Sequence, residues 1–175
     1  MSLINNTTSQ SYSRDTNHDI HSSYDGTARY TTKATLIMEK KKHPLELNDK
    51  LAFNTVRLDF LTDEAKSPIP RCQDLPFHAF GRLTGRSILV SLSHGWFFQT
   101  HPDPSGEKLD LIRNVFAPRL RERYPYTFIV VFFDFLATPQ RPRTDDEEER
   151  FRIAMERMNS VYVYADVILF LEACQ

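Results

Sequence analysis

Polar and aromatic side chains that suit ligand binding follow two apolar, strand-like segments of the sequence. The first segment, 87–93, runs into a Ser-His-Gly-Trp sequence, and the second, 127–135, carries an aspartate near its end. An indole ring can stack on a base, polar groups can hydrogen-bond ribose hydroxyls, and a guanidinium can pair with phosphate. We therefore predict a site for a nucleotide or its ribose, formed by Ser93, His94, Trp96, Asp134, Gln140 and Arg143, with Arg141 as an alternative phosphate partner.

Three other chemistries fit this part of the sequence less well. Residues 91–95 approximate the G-x-S-x-G motif of hydrolases without its first glycine, and no histidine follows His101 to complete a triad. His94, His101 and Asp103 are residue types that bind metals, but their spacing matches no strong zinc motif. We expect no metal and no cofactor. Gly106 precedes a predicted helix, yet the surrounding sequence is not a phosphate-binding loop.

The elements that position these residues alternate between strand and helix. A third apolar run, 167–171, follows the two already described. Apolar residues at spacings of three and four predict a helix between the first two runs, with Ser105 as its N-cap and a kink at Pro118. Between the second and third runs, Thr144 and Glu147 have the spacing of a capping box. The pattern predicts a second helix there.

This alternation predicts an α/β fold of three layers, with a short parallel sheet in βαβαβ order and right-handed crossovers. Ligands of such sheets bind beyond the C-terminal ends of the strands, which is where the polar residues lie. A sheet this small covers its faces poorly, so we expect exposed apolar surface. The candidates are Phe133, Phe135, Tyr162 and Tyr164.

The N-terminal half has a different character. Residues 1–43 are polar and predicted to be a disordered tail. Residues 44–86 form a predicted irregular strap that includes Pro68, Pro70 and Pro76, in which the alternation of Val56, Leu58 and Phe60 with polar residues suggests a short strand. The α/β domain then occupies 87–175.

Composition narrows the function classes. The formal charge of −1 shows no excess of basic residues of the kind that binds nucleic acid. No apolar run approaches the length of about 20 residues that a membrane-spanning helix needs. Two cysteines are too few for a disulfide framework. We expect a cytoplasmic protein that acts without a membrane.

The sequence resembles a divergent TIR domain, within the wider group of TIR-like and nucleoside deoxyribosyltransferase-like α/β domains. The resemblance covers about residues 87–171, which are half of the chain. It rests on three stretches with moderate joint specificity: Leu-Val-Ser-Leu-Ser-His-Gly-Trp at 89–96, Phe-Phe-Asp-Phe-Leu-Ala-Thr-Pro-Gln at 132–140, and the segment from 158 to 170 that leads through the third strand.

The resemblance implies one of two functions. TIR-like domains are signalling or assembly modules that associate with themselves or with another TIR-like domain, or they are enzymes that cleave the nicotinamide–ribose bond of NAD as substrate. The enzymes use a glutamate on the helix after the third strand. Here the chain ends four residues after Leu171, and Glu172 is the carboxylate nearest to that position. We expect an assembly module with a nucleotide-binding rim, and NAD cleavage through a displaced glutamate, or one beyond these residues, as the alternative.

Overall fold

The elements alternate between strand and helix along the α/β domain. The computed structural model describes residues 17–21, 31–35, 53–95 and 100–171. The strands are β1 Asn17–His21, β2 Thr31–Thr35, β3 Val56–Arg57, β4 Ile88–His94, β5 Ile129–Phe132 and β6 Val167–Leu171. The helices are α1 Leu58–Asp63, α2 Glu107–Leu111, α3 Ala117–Arg123, α4 Asp134–Ala137 and α5 Asp145–Tyr164, with a π-helical turn at Ile112–Phe116 and 3-10 turns at Cys72–Asp74 and Phe77–Ala79.

A four-stranded sheet with the order β3-β5-β4-β6 lies at the centre of the domain. β4 pairs in parallel with β5 and with β6, so the predicted parallel βαβαβ unit is confirmed. β3 joins the edge of β5 antiparallel, with Val56 opposite Val131. The whole sheet is therefore mixed, and the strap supplies its antiparallel edge strand.

Helices cover both faces of the sheet, which gives the three predicted layers. Alternate residues of a strand point to opposite faces. Val90 and Leu92 of β4 pack in one core cluster with Leu109, Ile112 and other residues of the α2–α3 region. On the other face a smaller cluster joins α5 to the sheet through Leu83, Leu89, Val130, Phe132, Ala137 and Val161. Because apolar residues face both layers, β4 and β5 are apolar almost throughout.

The strap differs from its prediction in one element. The alternation from Val56 to Phe60 predicted a strand, but β3 ends at Arg57 and α1 begins at Leu58. The strand prediction was wrong for Leu58 and Phe60, because Leu58 and Leu61 lie one helical turn apart and both are buried in the core. Residues 64–87 follow an irregular path in which the 3-10 turns are the regular pieces.

Gly81 holds the strap against the sheet. Its N–H donates to Thr55 O over 2.9 Å, and its carbonyl accepts from Thr55 Oγ1 over 2.6 Å. A Cβ at Gly81 would lie 2.7 Å from Cγ1 of Val130. No side chain fits in this gap, so glycine permits the close approach of strap and β5.

The first helix of the domain starts differently from the prediction. Ser105 was predicted as its N-cap, but Gly106 occupies that position with a left-handed φ of 84°. The carboxylate of Asp103 accepts from the N–H of Lys108 at 2.9 Å and of Leu109 at 3.1 Å. The buried Asp103 therefore caps the N-terminus of α2 in place of Ser105, because its carboxylate accepts from backbone amides that have no partner at the start of a helix.

The helix irregularity near Pro118 is a π-helical turn. It spans Ile112–Phe116 and lies immediately before α3, in which Pro118 occupies the first turn. Proline lacks the N–H that an uninterrupted helix would use, and a wider turn before it accommodates that loss. The capping box of α5 is confirmed: Thr144 Oγ1 accepts from Glu147 N over 3.3 Å, and Glu147 Oε2 accepts from Thr144 N over 2.9 Å.

The prediction that Phe133 and Phe135 are exposed is corrected. Phe133 and Phe135 are 0% and 1% exposed, so they belong to the core and not to an apolar surface. Exposed apolar side chains lie elsewhere, at Val163 and Phe170 among others. Within the predicted disordered tail, β1 and β2 pair as antiparallel strands. No helix among the described residues is long and apolar enough to cross a membrane.

Candidate functional site

The C-terminal ends of β4 and β5 lie side by side, as the parallel register requires. Ser91 pairs with Phe132, so His94 and Asp134 leave the sheet at the same rim. His94 Nε2 lies 2.9 Å from Asp134 Oδ1. The same oxygen accepts from the N–H of Phe135 over 2.6 Å. The structure therefore brings together two of the residues predicted from sequence.

Ser93 and His94 are neighbours in sequence but face opposite layers. The imidazole of His94 points toward α2, where it packs edge-on against the Phe133 ring at 4.4 Å between centroids. Its side chain is 1% exposed. Ser93 lies on the α5 side with Ser91, near the hydroxyl of Tyr162. Consecutive side chains of a strand cannot share one face, so Ser93 and His94 do not form a nucleophile–base pair.

Lys108 is a site residue that the sequence did not predict. Its side chain is buried, and its Nζ lies 3.1 Å from His94 Nδ1 and also donates to Gly95 O. Burial lowers the pKa of Lys108, while the carboxylates of Asp103 and Asp134 act in the opposite direction. A lysine in the first turn of a helix is normally solvated. No sequence pattern marked this lysine as buried.

Buried hydroxyl groups lie on the other side of the rim. The side chain of Ser91 is fully buried, and its Oγ has no hydrogen-bond partner among the described residues. Burial raises the pKa of the Tyr162 phenol, and the nearby Asp134 charge raises it further, while a hydrogen bond from Ser93 opposes the shift. The charge of Asp134 thus acts on Tyr162, and its carboxylate contacts His94.

A cavity of about 490 Å³ opens beside Asp134, between the loop after α4 and the helix α5. This volume falls within the range of roughly 300–1,000 Å³ that is common for small-molecule sites. Its wall combines an apolar surface of α5 with polar groups of the loop and the strap. The lining residues are Arg71, Thr100, Asp134, Thr138, Gln140, Arg141, Arg143, Phe151, Met155 and Met158.

The three arginines of the cavity are held in different ways. Arg143 is nearly buried, donates to Pro139 O over 2.7 Å and to Glu148 over 3.1 Å, and lies 3.4 Å above the centre of the Phe151 ring. Arg71 forms two hydrogen bonds with Asp74. Arg141 is exposed and has no ion pair within residues 53–95 and 100–171. A ligand can therefore bind its guanidinium without first breaking an ion pair, as it would have to at Arg71 or Arg143.

Gln140 lines the cavity, but its amide works within the loop. Its Nε2 donates to the carbonyl of Thr138 over 2.8 Å and to its hydroxyl over 3.1 Å. Gln73 holds the backbone of Gln140 from both sides, with bonds of 2.9 Å and 2.6 Å. This residue shapes the wall, since both amide donors already have partners.

His101 and Asp103 have structural partners. His101 Nε2 donates to Ile69 O, and Nδ1 accepts from the N–H of Asp103, both over 2.9 Å. These bonds fix a neutral imidazole whose two nitrogens are occupied. The described part of the chain contains no cluster of three His, Cys, Asp or Glu residues that could hold a metal ion.

Two predicted site residues, Trp96 and Glu172, lie outside the described residues. The remaining ones are distributed over the rim: His94 and Asp134 touch each other, Asp134, Gln140 and Arg143 line the cavity, and Ser93 stands beside Tyr162. No known protein family, curated protein or solved structure matches this chain. The functional argument therefore depends on the geometry of this rim.

Proposed function

We propose that this chain is a TIR-like signalling or assembly module that binds a nucleotide-type ligand in the cavity beside Asp134. The observation that carries the proposal is the composition of the cavity wall. One carboxylate, an accessible arginine and an apolar helix face surround about 490 Å³ at the C-terminal end of β5. Open parallel sheets bind their ligands at this edge.

The wall offers a separate partner for each part of a nucleotide. The Arg141 guanidinium suits a phosphate, because its position in the wall lets it form paired hydrogen bonds to an anion. The partly exposed carboxylate of Asp134 suits ribose hydroxyls. Phe151, Met155 and Met158 provide the apolar surface on which a base can pack.

Assembly is supported by surfaces next to this cavity. β6 ends the hydrogen-bonded four-stranded sheet with β2 of the N-terminal hairpin alongside it, and Phe170 of β6 is partly exposed. Val163, near the end of α5, is 58% exposed. Because α5 lines the cavity and also leads into β6, a ligand that orders α5 would favour self-association through the exposed apolar side chains of Val163 and Phe170.

NAD cleavage is the second candidate function, and Asp134 is the observation that favours it. A carboxylate beside the sugar can stabilise an oxocarbenium-like transition state, and Asp134 is the acid among the residues that line the cavity. Glu172, the carboxylate nearest to the position of the TIR glutamate, lies outside the described residues.

Calorimetric titration with AMP and with adenosine tests the binding function. We expect AMP to bind more tightly than adenosine, and Arg141→Ala to weaken AMP by about tenfold while leaving adenosine unchanged. Arg152→Ala is the matched control, because Arg152 is an exposed arginine of α5 that pairs with Glu149 and Glu156 away from the cavity. Equal losses in both variants, or no AMP binding, would contradict the proposal.

The two functions separate when NAD replaces AMP. Assembly without catalysis predicts larger particles by light scattering on addition of NAD and no release of nicotinamide. If nicotinamide is released and Asp134→Asn abolishes this release, the protein is an enzyme that cleaves NAD and Asp134 is its catalytic carboxylate. Release that persists in Asp134→Asn and stops in Glu172→Gln would give that role to Glu172.

A further inference from the structure

A buried chain of three polar side chains stands behind the cavity wall. Lys108 is 3% exposed and His94 is 1% exposed at its side chain, whereas the Asp134 side chain is 31% exposed. Lys108 Nζ lies 3.1 Å from His94 Nδ1, and His94 Nε2 lies 2.9 Å from Asp134 Oδ1. The chain therefore runs from the interior of the domain to the carboxylate that lines the cavity.

The chemistry of the three groups fixes the direction of their hydrogen bonds. An amine is a stronger base than an imidazole, so the proton remains on Lys108. The ammonium donates both to Nδ1 of His94 and to the Gly95 carbonyl that lies 3.2 Å from the same nitrogen, so Nδ1 accepts and the imidazole is neutral with its proton on Nε2. That Nε2–H then donates to Asp134 Oδ1, the oxygen that also accepts from the amide of Phe135.

Other contacts hold the inner end of the chain in place. Lys108 also donates to the carbonyl of Gly95, the residue that follows β4. The carboxylate of Asp103, fully buried, accepts from the Lys108 backbone N–H over 2.9 Å. The ring of Phe133 packs against the imidazole and keeps water from it. A buried ammonium is costly to retain, and an apolar side chain would fill the same space with less penalty.

We propose that Lys108 and His94 are positioning residues that orient the Asp134 carboxylate toward the cavity, where it accepts hydrogen bonds from the hydroxyls of the bound ligand. The ligand part of this inference rests on the proposed function. His94 Nε2–H and the backbone N–H of Phe135 both donate to Oδ1 of Asp134 and hold that oxygen toward the protein. The carboxylate therefore meets the ligand in a single orientation. Ligand hydroxyls then bind without reordering of the wall.

Nitrogen NMR of the histidine side chains tests the chain without any ligand. In the native protein at neutral pH, His94 is expected as the neutral tautomer protonated at Nε2. In Lys108→Met, Nδ1 loses its donor and lies 3.2 Å from the carbonyl of Gly95, so the ring should become doubly protonated between that carbonyl and Asp134. Lys66→Met, at an exposed lysine, should leave the His94 signals unchanged.

A native His94 protonated at Nδ1 alone would overturn the proposal, as would His94 signals that are identical in the native protein and Lys108→Met. If Lys108→Met does not fold, the tautomer in the native protein decides the question by itself. A purely structural lysine would change the stability of the domain without changing the protonation of the ring.

Two variants at position 94 test the consequence for binding, with AMP as the probe. Glutamine can place an amide N–H where Nε2–H stands, whereas phenylalanine keeps the ring and removes the donor. His94→Gln should retain AMP affinity to within about threefold, and His94→Phe should lose about tenfold or more. Equal affinities of the two variants would overturn the positioning role. Failure of the native protein to bind AMP would overturn the proposed function instead. The NMR signals of His94 would then still test whether Lys108, His94 and Asp134 form the proposed series of hydrogen bonds.

Discussion

Two loops leave the same rim of the sheet and use their polar side chains in opposite ways. In the first, residues 100–106 after β4, Thr100 touches the cavity, but Asp103 is fully buried and His101 has partners at both ring nitrogens. In the second, residues 138–144 after α4, Thr138, Gln140, Arg141 and Arg143 line an open cavity. The first loop is therefore a structural frame, and the second is the wall of a site.

The difference shows that residue type alone does not identify a functional group. Histidine and aspartate in the first loop are common catalytic and metal-binding types, yet their bonds hold a helix start and the strap. Arginine and threonine in the second loop are ordinary surface types, yet they surround the cavity. Substitutions in the first loop should therefore reduce stability, and those around the cavity should reduce binding.

The largest effect is expected at Asp103. Asp103→Ala removes the acceptor of two buried helix amides and one of the carboxylates that stabilise the Lys108 ammonium. The free energy of unfolding should fall by about 3 kcal/mol, since buried donors lose their partner. Urea denaturation followed by circular dichroism measures the loss. Asp103→Asn keeps one acceptor and should lose less, so equal stability of the two variants would contradict this role.

A large side chain at the cavity wall should abolish binding without harming the fold. Met155 lines the cavity and is 37% exposed, so Met155→Trp can fill the space from the surface. AMP affinity should fall by about tenfold or more, while unfolding changes by no more than about 0.5 kcal/mol. Asn159→Trp is the control, because Asn159 is an exposed residue of the same helix outside the cavity. Unchanged affinity in Met155→Trp would place the ligand elsewhere.

A smaller effect on the free energy of unfolding is expected at the capping box of α5, and the same helix also lines the cavity that is proposed to bind AMP. Thr144→Ala removes the acceptor of the Glu147 N–H and should lower the free energy of unfolding by about 1 kcal/mol. Thr144→Ser keeps the hydroxyl and should retain most of that stability. Because α5 forms the apolar wall, added AMP should raise the melting temperature of both variants. A melting temperature that AMP leaves unchanged in both would argue against a ligand on this helix.

The smallest effect is a change in the pKa of Lys108 on substitution of Asp134. Burial lowers this pKa, and the negative charge of Asp134 opposes the shift. Asp134→Asn removes that charge, so the pKa of Lys108 should fall further, which a pH titration of the lysine signals by NMR detects. At pH values between the lowered pKa of folded Lys108 and the ordinary lysine pKa, Lys108 is protonated in a larger fraction of unfolded than of folded molecules. Stability from this group therefore rises with pH in that window. An unchanged pKa in Asp134→Asn would show that the two charges do not interact.

The sequence predicted the parts of the fold that depend on local patterns. The apolar runs that became β4, β5 and β6 have the length and residue types of buried strands, and Thr144 with Glu147 marks a helix start within four residues. Because parallel strands must end at one edge, the meeting of His94 with Asp134 also followed from the order of elements.

Other features required the tertiary structure, because they depend on contacts between distant segments. Lys108 has the sequence of a solvated helix residue, and only the packing of α2 against β4 buries it beside His94. The space beside Asp134 arises where strap, loop and α5 meet, and no segment contains it alone. The sequence thus determined which elements form and where their polar ends lie. The long-range packing of these elements decided which polar groups are enclosed in the protein and which remain open to a ligand.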